Sequence, residues 1–277
     1  MKIAFWSMQR GRNGVTSNLA CTCILSNMRH ERRMMLFENH PNIQNLGNIL
    51  FCQNSNDFMR ENINYGKPHG LEQLLRQFDQ GVWMNEDQLV AASYVVPGKK
   101  IFYLPRYLYS NPDYMEYELQ QYLPAFLETV ESFCETVYID VSGNQNHSTR
   151  ELLRRADMVV INLLQDPYIL DEIFQNFSEI RRKAFYLISN YDEHSIYHRD
   201  RILKEYKIPQ SHIGVIPYNV RFANAIAEGR LISFLQSNYS CQSSNINYEF
   251  IKEAKRSVEK MDYLAFLLAH GGGRTSL

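Results

Sequence analysis

The chain has no run of apolar residues near the roughly 18 that a bilayer span requires; its densest, Tyr263 to Ala269, has seven. A membrane-spanning helix is excluded. Net charge is lacking too: 29 Lys and Arg against 30 Asp and Glu leave −1, so the chain carries no broad nucleic-acid footprint, only room for a local basic patch. Cysteine is sparse. The five (Cys21, Cys23, Cys52, Cys134 and Cys241) form an odd, scattered set with neither zinc nor redox spacing, and reduced core thiols in a cytoplasm are the expectation. No G-x-S-x-G surrounds Ser142, which argues against a serine hydrolase. No G-x-G-x-x-G occurs around Gly11 and Gly14, which argues against a nicotinamide enzyme, although Glu38 falls near the ribose position of that motif. The opening Met1–Trp6 is too short for a signal-peptide core and runs straight into Arg10 and Arg12. No internal repeat is found.

What is present is an apolar fraction of 45% over 277 residues, enough for a sizeable core and too much for a disordered chain. Short apolar runs alternate with longer helical patterns, the signature of βα units and a mostly parallel, doubly wound sheet. The expected strands are Lys2–Trp6, Met34–Glu38, Ile101–Leu104, Thr136–Val141, Met158–Leu163, Ala184–Ser189 and Ile213–Ile216. Several lack alternation, as strands covered on both faces do. Helices are expected near Thr16–Met28, Leu71–Gln80, Tyr114–Phe133, Ser148–Arg155, Ile169–Ile180, Ile196–Tyr206 and Arg221–Glu228. Ser93–Val96 and Ile101–Leu104 read as a hairpin turned by Pro97-Gly98-Lys99-Lys100. The expected organisation is an α/β body over residues 1–235, a linker over 236–247 and a C-terminal amphipathic helix with its tail over 248–277.

The first strand, the loop Ser7-Met8-Gln9-Arg10-Gly11-Arg12-Asn13-Gly14-Val15-Thr16-Ser17-Asn18 and the first helix form a geometry suited to phosphate. Backbone N–H groups converge there, and the positive end of the helix dipole faces the anion. Against the template G-x-x-x-x-G-K-[ST], Gly14 and Thr16 fit, whereas Gln9 replaces the first glycine and Val15 the lysine. By itself the loop also reads as a plain βα turn.

The rest of the chain resembles the ParA/MinD family of deviant Walker ATPases nearly end to end. Arg10 to Ser17 lies on that family's K-G-G-x-G-K-[ST]-[ST], with Arg10 on the signature lysine, Gly11 and Gly14 on glycines and Thr16 on the magnesium hydroxyl. Leu36-Phe37-Glu38-Asn39-His40-Pro41 is similar to L-I-D-x-D-P, and Val137-Tyr138-Ile139-Asp140 to the Walker B strand. Ala156-Asp157-Met158-Val159-Val160 is similar to A-D-x-V-[IV]. Leu187-Ile188-Ser189-Asn190 resembles the strand whose asparagine reads adenine, and Gly214-Val215-Ile216-Pro217-Tyr218-Asn219 the loop that covers the base. The resemblance implies ATP held by Gly11, Arg12, Asn13, Gly14, Val15, Thr16, Ser17, Asn190, Pro217 and Tyr218, magnesium held by Thr16, Glu38 and Asp140, and catalytic roles for Arg10, Glu38 and His40.

The departures fall on those catalytic positions. Val15 cannot place a cation on the phosphates, which costs on the order of several kcal/mol in a phosphoryl-transfer barrier. His40 stands where relatives have the aspartate that positions the attacking water, and Glu38 is a longer carboxylate than its counterpart. Arg10 suits an arginine finger reaching across a dimer. Bland readings stand beside these: Arg10 and Arg12 as solvated charges, Val15 as packing for the first helix, Asn190 and Pro217 as ordinary strand-ending residues. Asp140 is better placed, because ligands of open α/β sheets bind at the carboxyl edge. His194 and His198 have the i, i+4 spacing of a metal pair but read as solvated histidines in a polar turn.

In the last segment Ile246, Phe250, Ala254, Val258, Met261, Ala265 and Leu268 form one apolar stripe. It reads as a helix docked on its own domain or on a partner subunit, with a membrane-surface helix as the alternative; Gly271-Gly272-Gly273 ends it. The resemblance implies a homodimer that binds ATP and magnesium with little or no hydrolysis. Its nearest branch is the TadZ/CpaE group, which implies a positioning or assembly role for a Tad/Flp-type pilus or secretion system, in the cytoplasm with recruitment to the inner membrane or a cell pole through a partner. That group often carries an N-terminal receiver-like domain, whereas here the first expected strand begins at Lys2. The alternative is a ParA-like partition protein whose nucleotide-bound dimer binds DNA non-specifically.

Overall fold

The computed structural model describes residues 1–9, 11, 13–40, 42, 45–51, 70–82, 84–96, 98–106 and 111–270. Arg10, Arg12, Pro41, Cys52, Pro97 and residues 271–273, all singled out in the sequence, lie outside the described residues. The seven expected runs become strands whose side chains are almost all buried: β1 Lys2–Trp6, β2 Met34–Glu38, β4 Ile101–Leu104, β5 Thr136–Asp140, β6 Met158–Leu163, β7 Ala184–Tyr191 and β8 Ile213–Pro217. With the short β3 Tyr94–Val95 they form one eight-stranded sheet, order β3-β4-β2-β5-β1-β6-β7-β8. Among the described residues only the β3–β4 pair is antiparallel, Tyr94 opposite Tyr103 and Val95 opposite Phe102. The hairpin expected from Gly98 is therefore present, as is the mostly parallel, doubly wound α/β architecture. Covering both faces is what lets the strands be apolar throughout.

One face packs against α1 Val15–His30, α2 Leu46–Leu50, α9 Val220–Ala227, α10 Leu231–Asn238 and α11 Tyr248–His270. The other packs against α3 Leu71–Asp79, α4 Glu86–Ala92, α5 Pro112–Phe133, α6 His147–Arg155, α7 Pro167–Asn176 and α8 Arg199–Tyr206. Local chemistry sets several helix starts. Asn146, Asp166 and Asn219 side chains accept from Thr149, Tyr168 and Phe222 N–H groups, and Asn85 forms a reciprocal capping box with Gln88, each filling donors that a helix N-terminus leaves open.

Four sequence expectations need correction. The helix expected over Ile169–Ile180 ends at Asn176, where Phe177 leaves the helix to pack on Trp6 with ring centroids 4.8 Å apart, and a 3-10 turn follows over Ser178–Lys183. The helix expected from Ile196 starts at Arg199, because Asp192 and Ser195 side chains hold His194 and Tyr197 N–H groups in turns instead. Ile246 leaves the apolar stripe: it precedes α11 and is 71% exposed. The expected boundary at residue 235 falls inside α10, whose Leu231 and Leu235 are buried.

The remaining stripe docks α11 on the chain's own sheet. Phe250, Ala254, Val258, Met261 and Ala265 are buried, Leu268 is half-buried, and Tyr263, Phe266 and Leu267 remain exposed. Gly214 makes this seat possible, since a Cβ there would lie 2.6 Å from Ser257 Oγ. That hydroxyl accepts from Val215 N at 2.7 Å and donates to Val215 O at 2.9 Å, tying α11 to β8. Cys21 and Cys23 are both buried in α1, and burial pushes the Cys21 thiol up to about 12. Among the described residues no helix is long and apolar enough to cross a membrane.

Candidate functional site

The sheet reverses its winding at β1, which lies between β5 and β6, and the carboxyl ends of strands at such a point are where open α/β sheets bind ligands. The loop from β1 to α1 opens there. Gly11 has φ +76° and Gly14, the residue capping α1, has φ +56°, a region that side chains with a Cβ adopt only at a cost of about 1–2 kcal/mol. Gly14, Thr16, Ser17, Asn13 and Val15 line a cavity of about 300 Å³ together with Ser7, Gln9, Gly11, His40 and Asp140.

The loop is held from beneath by neutral polar groups. Asn13 is 1% exposed, and its amide turns inward to donate to Ser7 Oγ and to Asn162 O. Asn18 on α1 donates to Asn162 Oδ1 at 2.8 Å and Ser189 Oγ at 2.7 Å, while Asn162 reaches Trp6 O. The side chain of Asn13, expected at the nucleotide, is thus part of this scaffold, although the residue still borders the cavity. Val15 is half-buried against the apolar core beside α1. Among the described residues the cavity wall carries no lysine or arginine.

On the other side of β1 the site is ionisable. The pairing of β2 with β5 sets Glu38 directly opposite Asp140, so two carboxylates 102 residues apart end adjacent strands. His40 follows two residues on, with Nε2 3.1 Å from Asp140 Oδ2 and 3.8 Å from Glu38 Oε2. All three side chains are at most 3% exposed. Asn39 fixes this turn: its N–H donates to Asp140 O, its Oδ1 accepts from Ser142 N at 2.6 Å, and its Nδ2 donates to Ser148 and Thr149 hydroxyls. Tyr103 donates to Glu38 Oε1 at 2.5 Å and Leu46 N–H to Oε2 at 3.4 Å. Burial pushes the Glu38 carboxyl up to about 7, with His40 and Tyr103 pulling it down and Asp140 adding to the rise. Burial lowers His40, but Asp140 and then Glu38 outweigh it and the net direction is upward. Asp140 Oδ2, though close to the imidazole, accepts no aligned hydrogen bond.

These donors fit a divalent cation. A hydroxyl on Thr16 and carboxylates on Glu38 and Asp140 are hard oxygen ligands of the kind magnesium takes, and Asp140 Oδ2, 3.1 Å from the His40 imidazole, accepts no aligned hydrogen bond. The left-handed glycines and the start of α1 fit phosphate oxygens; Val15 supplies no charge to them. Asn190, with φ +49°, joins Pro217 and Tyr218 around a second cavity of about 760 Å³ that also touches Arg199, Glu249 and Lys252. His194 and His198 are exposed and belong to no cluster of metal-ligating residues found among the described residues. Asn39, Tyr103, Asn18 and Asn162 were given no role in the sequence; Asn39 sits inside the quoted E-N-H-P and Asn18 ends the quoted loop, and the other two carry no local signal because their partners are remote in the chain.

No protein-family model matches the sequence, and no curated protein sequence matches it. Solved structures do match. The ParA family ATPase of Chlorobium tepidum TLS superposes with a TM-score of 0.67 at 12% identity, over 93% of this chain and 97% of that one. The septum site-determining protein MinD of Pyrococcus horikoshii OT3, complexed with Mg-ADP, gives 0.67 at 12% identity, over 98% and 100%. A plasmid partition protein of Borrelia burgdorferi B31 bound to AMPPNP gives 0.63 at 15%, over 95% and 98%. The fold is therefore that of ParA/MinD-type P-loop NTPases, completed by the C-terminal helix α11.

Proposed function

We propose that this chain is a nucleotide-binding protein of the ParA/MinD kind. It takes ATP with magnesium at the β1–α1 loop, dimerises around the nucleotide and hydrolyses it slowly or not at all. The observation that carries this reading is the loop itself: left-handed Gly11 and Gly14, Thr16 at the start of α1, and Asp140 on the wall of the same cavity with Glu38 opposite it on the neighbouring strand, but Val15 where a phosphate-binding lysine is expected. Thr16, Glu38 and Asp140 would hold the magnesium, which when bound offsets phosphate charge. Asn190, Pro217 and Tyr218 would receive the base, and Arg10, read from the sequence, would reach the partner's phosphates. The Mg-ADP and AMPPNP in the MinD and partition-protein structures support the choice of ligand. The finer role, positioning or assembly of a Tad/Flp-type pilus or secretion system through a protein partner, rests on the sequence resemblance.

The test is calorimetric titration of Mg-ATP into the purified chain, with mass by light scattering on the same samples. Micromolar binding with a monomer-to-dimer shift that Arg10→Ala weakens is the expected result. No heat and no mass change at millimolar ATP overturns the nucleotide switch.

A further inference from the structure

Glu38, His40 and Asp140 each offer one ligand atom, and the three atoms lie within 4.8 Å of one another. The His40 to Asp140 separation of 3.1 Å falls within the roughly 3.0–3.4 Å between neighbouring donors around an ion with bonds of about 2.1 Å, and the His40 to Glu38 separation of 3.8 Å lies just above it. We propose that these three residues form a direct coordination site for a first-row transition cation (Mn2+, Fe2+, Co2+ or Zn2+), in preference to magnesium.

Three observations carry it. The donor set includes an imidazole nitrogen, which suits the later first-row ions, whereas magnesium favours oxygen donors and retains its water. All three side chains are at most 3% exposed, yet Asp140 Oδ2 has no aligned hydrogen-bond donor, and an orphaned buried carboxylate oxygen is costly unless a cation meets it. Two carboxylates, a neutral imidazole and a divalent cation sum to zero charge, which a dry site favours. The second sphere is already built: Tyr103 occupies the other Glu38 oxygen, Oε2 faces His40 with only a long 3.4 Å contact from Leu46 N–H on it, and Asn39 fixes the turn that carries the imidazole. Outer contacts of this kind orient first-sphere ligands. His40 and Asp140 also border the loop cavity, so three protein ligands leave coordination positions open toward it. The site shares Glu38 and Asp140 with the nucleotide reading but does not need it, since the metal alone is the probe.

The experiment uses the untagged full chain, stripped with chelator and free of nucleotide. Co2+, Mn2+, Zn2+ and Mg2+ are titrated separately by calorimetry, and the visible absorption of Co2+ reports nitrogen ligation directly. Expected is one site per chain, with Co2+ and Zn2+ at least about 100-fold tighter than Mg2+ and a Co2+ spectrum that His40→Asn abolishes while His194→Ala leaves it intact. His40→Asp, which keeps a ligand at the position if the asparagine variant fails to fold, should narrow the preference over Mg2+ to about tenfold or less. Equal affinity for Mg2+ and Co2+, a spectrum unchanged by His40→Asn, or no binding below millimolar would overturn the proposal. The last outcome makes the triad an internal ion pair of a protonated imidazole with two carboxylates. ATP binding that persists in that case leaves the nucleotide reading standing.

Discussion

On the two sides of β1 the same sheet edge buries polar groups in opposite styles. Toward β6 and β7, Asn13, Asn18, Asn162, Ser7 and Ser189 are neutral and knit together by hydrogen bonds from strand to loop to helix. Toward β2 and β5, Glu38, His40 and Asp140 are ionisable and just as buried, yet keep an oxygen without an aligned donor. Asn13 Oδ1 also lacks a partner there, but neutral groups joined by hydrogen bonds hold a backbone in place at modest cost, whereas converging charges are expensive unless something binds them. The first side is scaffold for the loop; the second is where the fold accepts cost, which is how binding sites are built.

The comparison can be broken first on its scaffold side. Asn162→Leu strips a partner from Asn18 and leaves Trp6 O without its side-chain donor, so stability in urea should fall by about 2–3 kcal/mol; a loss below about 0.5 kcal/mol would mean that the network is incidental. Glu38→Gln should act the other way. In chelator at pH 8 the neutral amide, whose one oxygen still accepts from Tyr103 while the 3.4 Å contact with Leu46 N–H is given up, removes one of two facing carboxylates, and the chain should gain about 1 kcal/mol while losing cation affinity. Destabilisation by that substitution would remove the contrast. Val15→Lys sharpens it on the binding side. The aliphatic stem can follow the half-buried path of the valine while the ammonium meets phosphate, and ATP should bind at least about tenfold tighter by titration; no change would place the phosphates elsewhere.

The smallest effect separates burial from lack of partners. Asp262 on α11 is a half-buried acid whose oxygens accept from Ser26 on α1 at 3.0 and 3.2 Å, with His30 3.7 Å away. Burial raises its carboxyl above the ordinary 3.8, with Ser26 and His30 offsetting part of that. The folded chain therefore keeps this proton to higher pH than the unfolded chain does, and stability attributable to it falls as pH rises from the ordinary value through the folded one. Asp262→Asn should flatten that decline when melting is followed between pH 4 and 7. An identical pH slope in both proteins would show that this group does not contribute.

Much of the architecture is legible locally. Lys2–Trp6, Met34–Glu38 and Met158–Leu163 are unalternating apolar runs and become inner strands at the expected bounds, because a strand covered on both faces has no polar side to show. The hairpin at Gly98 announces itself by its turn. Helix ends were less legible. Phe177 stops α7 early to reach Trp6, and Asp192 and Ser195 delay α8, choices made by side chains whose partners the pattern does not reveal. The site was half legible: Gly14, Thr16, Glu38, His40 and Asp140 stand out as motif positions, whereas Asn13 turning inward, Asn39 bracing the turn and Tyr103 holding Glu38 do not.

The sequence by itself determined the doubly wound α/β order of elements, the glycine loop ahead of α1 and the loss of a cation at Val15, since each depends on residues close together in the chain. Only the tertiary structure decided that Glu38, His40 and Asp140 converge, that Asn18 and Asn162 meet beneath the loop, and that α11 closes onto β8 at Gly214. Those outcomes depend on strand register and on close approach between segments as many as 144 residues apart, and neither is encoded in the spacing of any local pattern.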